Sequence, residues 1–440
     1  MNARVDFTAL REELARTGAT RAEGRVEGVT GLAITATLPG ARMGDLVTVG
    51  RRGAPLLAEV SGFHGGRVTL LPLGDTAGVG AEDPVESTGG PLEIRVGDAL
   101  FGRVLDGLGR PLDDGGPVSG RATPVAGNPP APLRRTAVEE ALPTSVRAID
   151  GLLTLGVGQR VGLFSGSGVG KSTLLGALAR GASADAVVVA LVGERGREVR
   201  DFVERILPAA RERAVFVVAT SDAPAVERIR AAEVATTVAE SFRDEGRRVL
   251  LLVDSITRVA RAQREVGLAS GEPPARRGFP PSVFAMLPRL LERAGQGERG
   301  SITALYTVLV EGDDLDEPVT DEVRGILDGH VVLSRRLASE HHHPAIDVPA
   351  SLSRVMPRVV SARHADAAGR IRALLAAYED KRELVTLGAY QAGGDPRLDR
   401  ALRALPDLRR FLVQAEGEVA PFDATVEALV GLAERHGSAP

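Results

Sequence analysis

The chain has no cysteine and no tryptophan, only three tyrosines, and aromatic residues make up 3% of its 440 positions. Without cysteine there are no disulfides, no thiolate metal ligands and no thiol nucleophile. With so few rings, a stacking platform for single-stranded nucleic acid is poorly supported. Neither sign of charge dominates. The 54 basic and 58 acidic side chains leave a net charge of −4, so nucleic-acid coating is not expected, although arginine far outnumbers lysine. No apolar run reaches the ~18 residues of a membrane span. Residues Met1 to Arg16 carry charges throughout and lack the apolar centre of a signal peptide. The expectation is a cytoplasmic protein that is able to dock on a membrane surface.

What is present is ordinary globular material. Hydrophobic residues make up 43% and charged residues 25%, and at ~150 residues per domain the length suggests about three domains. Phe7, Leu10 and Leu14 share one face of a short helix at the start. Short apolar runs follow at Gly31 to Leu38, Leu46 to Val49, Leu56 to Val60 and Arg67 to Leu71, punctuated by Gly, Pro and Asp. Such spacing predicts a small β-barrel or sandwich. Asp113 to Pro132, rich in Gly and Pro, reads as a connector.

Beyond it, β-type runs alternate with helical patterns. Strands are expected at Val161 to Phe164, Ala186 to Val192, Ala214 to Ala219, Val249 to Val253 and Ser301 to Val308. This alternation predicts an α/β core with a mostly parallel sheet and helices on both faces. The continuous apolar run Ala186 to Val192 suits a strand buried on both sides. From about Ala365 only helices are expected: Arg370 to Arg382, then two pieces parted by Pro406, then Asp423 to Arg435. The division reads as 1–92, a helix plus barrel; 93–364, the α/β domain; and 365–440, a helical domain.

The strongest chemical signal is Ser165-Gly166-Ser167-Gly168-Val169-Gly170-Lys171-Ser172, set between an expected strand and the helical run Thr173 to Ala182. Glycines let successive backbone N–H groups turn inward on phosphate oxygens, and the helix start adds a favourable dipole. Lys171 is expected to reach the β- and γ-phosphates of a bound nucleotide, and the Ser172 hydroxyl to bind Mg²⁺. The strict pattern opens on Gly, and here that position is Ser165.

A carboxylate for the metal is available at Asp254, which ends the apolar run Val249 to Val253. Ligands of an open α/β sheet sit beyond the C-terminal strand ends, although an Asp there also serves as a helix cap. Glu194, just past Val192, is in a position to orient the water that attacks the γ-phosphate. Arg195, Arg197 and Glu198 beside it also fit a solvated charge cluster. His341-His342-His343 are consecutive, and consecutive side chains do not converge on one ion. Arg354 alone reads as a surface arginine.

Taken together, these residues resemble the ATPases of bacterial type III secretion systems. The wider group includes flagellar export ATPases and the catalytic subunit of rotary ATP synthases. The likeness is densest from Pro132 to Met356, in the stretches 193–200, 271–284 and 310–314 and in Asp328-Gly329-His330 followed by Leu333-Ser334-Arg335-Arg336. The stretches 265–271, 290–295 and 321–324 look more like the injectisome branch than the flagellar one. The resemblance implies a RecA-like phosphate-loop fold with an N-terminal β-barrel and a C-terminal helical domain, arranged as a homohexameric ring with ATP sites between protomers. Glu194 matches the catalytic glutamate, with Arg195 following it. Lys171, Ser172 and Asp254 match the phosphate and magnesium positions, within a binding loop reaching Thr173. Arg354 matches the arginine finger supplied by the neighbouring protomer, and Arg258 a further arginine near the site. His343 stands where Tyr commonly stacks on adenine, and an imidazole offers the base a smaller face.

The implied activity is Mg²⁺–ATP hydrolysis that energises unfolding, chaperone release and protein export. The implied partners are a central stalk protein, a stator and sorting-platform proteins, and chaperone–substrate complexes, all at the cytoplasmic face of the inner membrane. A pore-facing loop is expected near Gly267 to Pro281. Three competing readings are a flagellar export ATPase, a non-catalytic nucleotide-binding ring subunit and a hexameric helicase. Glu194 counts against the second. The acidic balance and scarce aromatics count against the third.

Overall fold

The computed structural model describes residues 22–437 apart from 207, 311 and 313. The helix expected around Phe7, Leu10 and Leu14 lies outside the described residues. Strands Glu23–Thr30, Ala33–Thr37, Asp45–Val49, Leu56–His64, Arg67–Pro72 and Pro84–Pro91 close into a barrel. Alternation explains it: Leu56, Ala58 and Val60 face inward while their neighbours are half-exposed. With Val26, Ile34, Val47, Val68, Leu70 and Val85 they make a core of their own. Closure needs Gly24, because a Cβ there would lie 1.6 Å from the Thr37 carbonyl oxygen. The first and last strands were not expected, since Gly, Glu and Pro dilute their β-signal. The connector also holds a short strand, Arg121–Pro124, paired with Glu93–Val96.

The α/β region is built on a nine-stranded sheet. Across it run Ile346–Ser353, Gly329–Leu333, Arg160–Ser165, Ser301–Leu309, Arg248–Asp254, Ala186–Val192, Ala214–Ala219 and Val104–Asp106, with Gly295–Gln296 beside Ser301–Leu309. All pairs in that order are parallel except the edge pair Ile346–Ser353 with Gly329–Leu333. Every residue of Ala186–Val192 is buried. One face packs on helix Ala225–Asp244 through Ile229, Val234, Val238 and Phe242. The other packs on helix Lys171–Gly181 and on the C-terminal helices through Leu174, Ile371, Leu408 and Leu429. Each such side chain contributes about 1.5–3 kcal/mol by burial.

The C-terminal helices run Ala362–Thr386, Pro396–Leu412 and Phe422–His436. Pro406 does not end a helix: Pro396–Leu412 is continuous across it. Leu398, Ala401 and Ala404 before the proline and Leu408, Phe411 and Leu412 after it are all buried. Packing of both halves on a shared core offsets the lost N–H. Gly267 also departs from expectation. It lies inside helix Ile256–Ala269, where a Cβ would come within 2.8 Å of Pro280, and the irregular path begins only after that helix.

Candidate active site

Strand Arg160–Ser165 runs through the middle of the sheet and delivers the chain to Gly166 at its C-terminal end. Gly168 and Gly170 take left-handed φ values of 77° and 87°. Helix Lys171–Gly181 starts directly after Gly170, and Leu174 N–H donates to the Gly170 carbonyl at 3.0 Å. The backbone donors of the first turn therefore stand at the loop, with the positive end of the helix dipole behind them. Val169 is buried and pins the loop, while Ser167, Ser172 and Thr173 are exposed. At Gly166 a Cβ would lie 2.4 Å from Arg335 Nε. Ser165 is buried, and its carbonyl accepts the Val310 N–H at 3.0 Å, so the substitution for Gly is held inside the sheet.

Two strand ends converge on Lys171. Its Nζ lies 2.5 Å from Asp254 Oδ1 and 3.3 Å from Glu194 Oε1. Asp254 ends Arg248–Asp254, and Glu194 lies two residues past Ala186–Val192. Leu191 is the register partner of Asp254. Both carboxylates are buried, Glu194 at 6% and Asp254 at 3% exposure. Each has a second partner. Arg258 Nη1 lies 3.0 Å from Glu194 Oε2 and donates to the Gly193 carbonyl. Thr307 Oγ1 donates to Asp254 Oδ1 at 2.7 Å. These bonds fix the carboxylates in place before chemistry begins.

Thr307 was not anticipated. Its signal is present as a short hydroxyl side chain in the largely apolar, buried stretch Ala304 to Val308, where a polar group needs a partner. Thr257 has the same character: it is buried and accepts the Leu309 N–H at 2.9 Å.

Other expected residues stand apart. Arg195 is exposed and lies 3.5 Å from Glu198. Arg354 is exposed one residue beyond the edge strand Ile346–Ser353, with its N–H on the Asp328 carbonyl at 3.0 Å. Among the described residues, no hydrogen bond or ion pair joins Arg195 or Arg354 to Lys171, Glu194 or Asp254. His343 does approach the loop, with Nδ1 3.9 Å from where a Cβ on Gly170 would sit. Its carbonyl accepts the Gln414 N–H from the C-terminal region at 2.8 Å. His341 and His342 diverge from it. His341 is exposed with φ 55°, whereas His342 is buried, and burial, with Arg409 nearby, holds its imidazole pKa below the ordinary value.

The donor set suits a hard divalent cation. Asp254 offers a fixed carboxylate and Ser172 an exposed hydroxyl at the first turn of the helix, both oxygen donors, as Mg²⁺ prefers. A glycine-lined anion loop, a lysine and two carboxylates fit phosphoryl transfer rather than acyl or hydride transfer.

Residues 145–353 match the ATP synthase alpha/beta family, nucleotide-binding domain. Residues 26–89 match the beta-barrel domain of that family, and 360–431 match the T3SS EscN ATPase C-terminal domain. The Type 3 secretion system ATPase of Xanthomonas euvesicatoria is 50% identical over 431 residues, which cover 97% of this chain and 98% of the relative. The Flagellum-specific ATP synthase of Bacillus subtilis is 48% identical over 415 residues, covering 93% and 94%. Among solved structures, the assembled ATPase EscN of enteropathogenic E. coli, in complex with its central stalk EscO, superposes with a TM-score of 0.85. It is 47% identical, over 93% of this chain and 99% of that one.

Proposed function

The chain belongs to the type 3 secretion system ATPase family, within the ATP synthase alpha/beta group, and from that premise we propose how its residues do the work. It is an ATP-hydrolysing enzyme of protein secretion. The observation that carries the mechanism is the convergence of Glu194 and Asp254 on Lys171 at the mouth of the phosphate loop. Backbone N–H groups of Gly166 to Ser172 cradle the phosphates, and Lys171 reaches the β- and γ-oxygens. Glu194, steered by Arg258, accepts a hydrogen bond from the attacking water and aligns it in line with the leaving oxygen. Ser172 and a water held by Asp254 would hold Mg²⁺, which neutralises charge on the β- and γ-phosphates.

Six copies form a ring in which Arg354 projects into the neighbour's site and stabilises charge developing on the γ-phosphate. The exposure of Arg354 and of Arg195, neither of which is bonded to its own Lys171 among the described residues, supports roles toward a second protomer. The assembled relative and its central stalk support a stalk partner here. By the same family reasoning, the C-terminal helical region faces chaperone–substrate complexes, while a stator and sorting-platform proteins hold the ring at the inner membrane. Among the described residues no helix is long and apolar enough to cross a membrane, which is consistent with attachment through the apparatus. The match of 360–431 to the T3SS EscN ATPase C-terminal domain favours the injectisome over the flagellar branch.

The reading is tested by Lys171→Ala. Nucleotide binding, followed with a fluorescent ATP analogue, is expected to weaken by at least about a hundredfold, because a charge-assisted phosphate contact and the tie between the carboxylates are lost together. Unchanged binding would remove Lys171 from the site. His343 gives a second expectation. A tyrosine there has a larger π-face for adenine, worth about 1 kcal/mol. His343→Tyr should therefore lower the KM for ATP severalfold with kcat unchanged. An unaltered KM would mean that His343 does not face the base.

A further inference from the structure

The strand that ends just before Arg354 is irregular. In the pairing of Gly329–Leu333 with Ile346–Ser353, Gly329 faces Ser353 and His330 faces Leu352, but Val332 faces Asp347. The four residues 348 to 351 therefore stand opposite the single Val331, three more than a regular pairing holds, and bulge from the sheet edge. Specific bonds shape the bulge. Ala350 N–H donates to Asp347 Oδ1 at 3.0 Å, and Val332 N–H donates to Ser351 Oγ at 2.9 Å. Arg372, on helix Ala362–Thr386, donates to the Ser351 carbonyl at 2.8 Å. His330 Nε2–H donates to the Ala350 carbonyl at 3.1 Å.

His330 also touches the strand that leads into the phosphate loop. Its ring meets Phe164 edge-on, with centroids 5.8 Å apart and planes at 75°. Phe164 immediately precedes Ser165, the last residue of the strand that opens into the phosphate loop. The register partner of His330 on that strand is Gly162, and the Phe164 ring folds over it: a Cβ at Gly162 would lie 2.2 Å from Phe164 Cε2. The imidazole is thus wedged between the strand that carries a protomer's own phosphate loop and the bulge that precedes its Arg354.

We infer that His330 is a positioning residue that braces, against the strand leading to its own phosphate loop, the bulge before the Arg354 which that protomer presents to the next. The inference rests on the proposed role of Arg354 across the interface. A bulge re-aims the chain that follows it, and two side-chain donors hold the carbonyls of this one, Arg372 at Ser351 and His330 at Ala350, so removing His330 frees the Ala350 carbonyl and loosens that aim. A shift of about 1 Å in a charge-stabilising group costs up to about 10²-fold in rate. The consequence has a direction. Loss of His330 should harm hydrolysis in the neighbour's site and spare its own.

Mixed rings separate the two sites. Protomers carrying Arg354→Ala keep a competent site but lack the finger, and protomers carrying Glu194→Gln keep the finger but lack hydrolysis. Their mixture should regain activity only where the two kinds adjoin. His330→Ala added to the Glu194→Gln protomers is expected to reduce the regained kcat by about 10-fold or more, with KM unchanged. The same change added to the Arg354→Ala protomers should leave it within twofold, and this arrangement also controls for folding. His330→Gln, whose amide nitrogen can reach the Ala350 carbonyl, should restore the rate in the finger-donating protomers. Equal losses in both placements, or none in either, would overturn the role of His330. Failure of the unmodified mixture to regain activity would instead overturn the role of Arg354 across the interface, and this inference with it.

Discussion

Glu194→Gln is expected to lower ATP turnover of the assembled protein by about 10²–10⁴-fold, the range for loss of a positioned proton acceptor. The change keeps the volume and removes the charge. A glutamine in that place must turn an N–H₂ group toward either Lys171 or Arg258, because the two cations lie 3.3 Å and 3.0 Å from opposite oxygens of the carboxylate. It can no longer accept a strong hydrogen bond from water while satisfying both. Nucleotide binding should persist, since the loop N–H groups and Lys171 remain. Steady-state hydrolysis and equilibrium binding of a fluorescent nucleotide separate these effects. Full turnover in the variant would refute the assignment of Glu194. Loss of binding together with turnover would show that the carboxylate acts mainly by holding Lys171.

The second large effect is expected at Arg354→Ala. An arginine finger is worth about 10³–10⁵ in kcat. The side chain is exposed and, among the described residues, its backbone N–H on the Asp328 carbonyl is its only hydrogen bond. Truncation should therefore change folding stability by no more than about 0.5 kcal/mol, as for other surface positions. A large loss of turnover with an unmoved thermal midpoint is the signature of a group that works outside its own protomer. A loss of stability on the same scale as the loss of activity would mean that Arg354 is structural. Turnover that survives truncation would remove it from the chemistry.

The parts of this site that were legible in the sequence are those encoded by local spacing. The run 165–172 announces its strand, its turn and its helix through glycine and lysine alone, and the strands ending near Glu194 and at Asp254 are continuous apolar runs. Both carboxylates belong to the C-terminal edge of a parallel sheet whatever the loop details. Their meeting at one ammonium was not legible, because it depends on sheet order rather than sequence distance. Thr307 was missed because a hydroxyl in a largely apolar strand signals burial, not which carboxylate it supports. The hairpin that carries Arg354 was missed because Pro349 and the bulge break the alternation of Ile346–Ser353. Pro406 misled for the converse reason. Its local rule is sound, and shared burial on either side of it prevails. Arg354 itself became a candidate only through resemblance, since an exposed arginine carries no local mark of a neighbour's active site.

The central claim is a hydrolytic site completed between protomers. Its most direct test is the Mg²⁺–ATPase rate per protomer, measured across a wide range of protein concentration, with Glu194→Gln as control. The account predicts a specific rate that climbs with concentration as rings assemble and levels off when assembly is complete, with the control near zero throughout. A rate above the control that does not change with concentration would contradict the shared site. A rate no higher than the control at every concentration would contradict hydrolysis by this chain and favour a non-catalytic nucleotide-binding subunit.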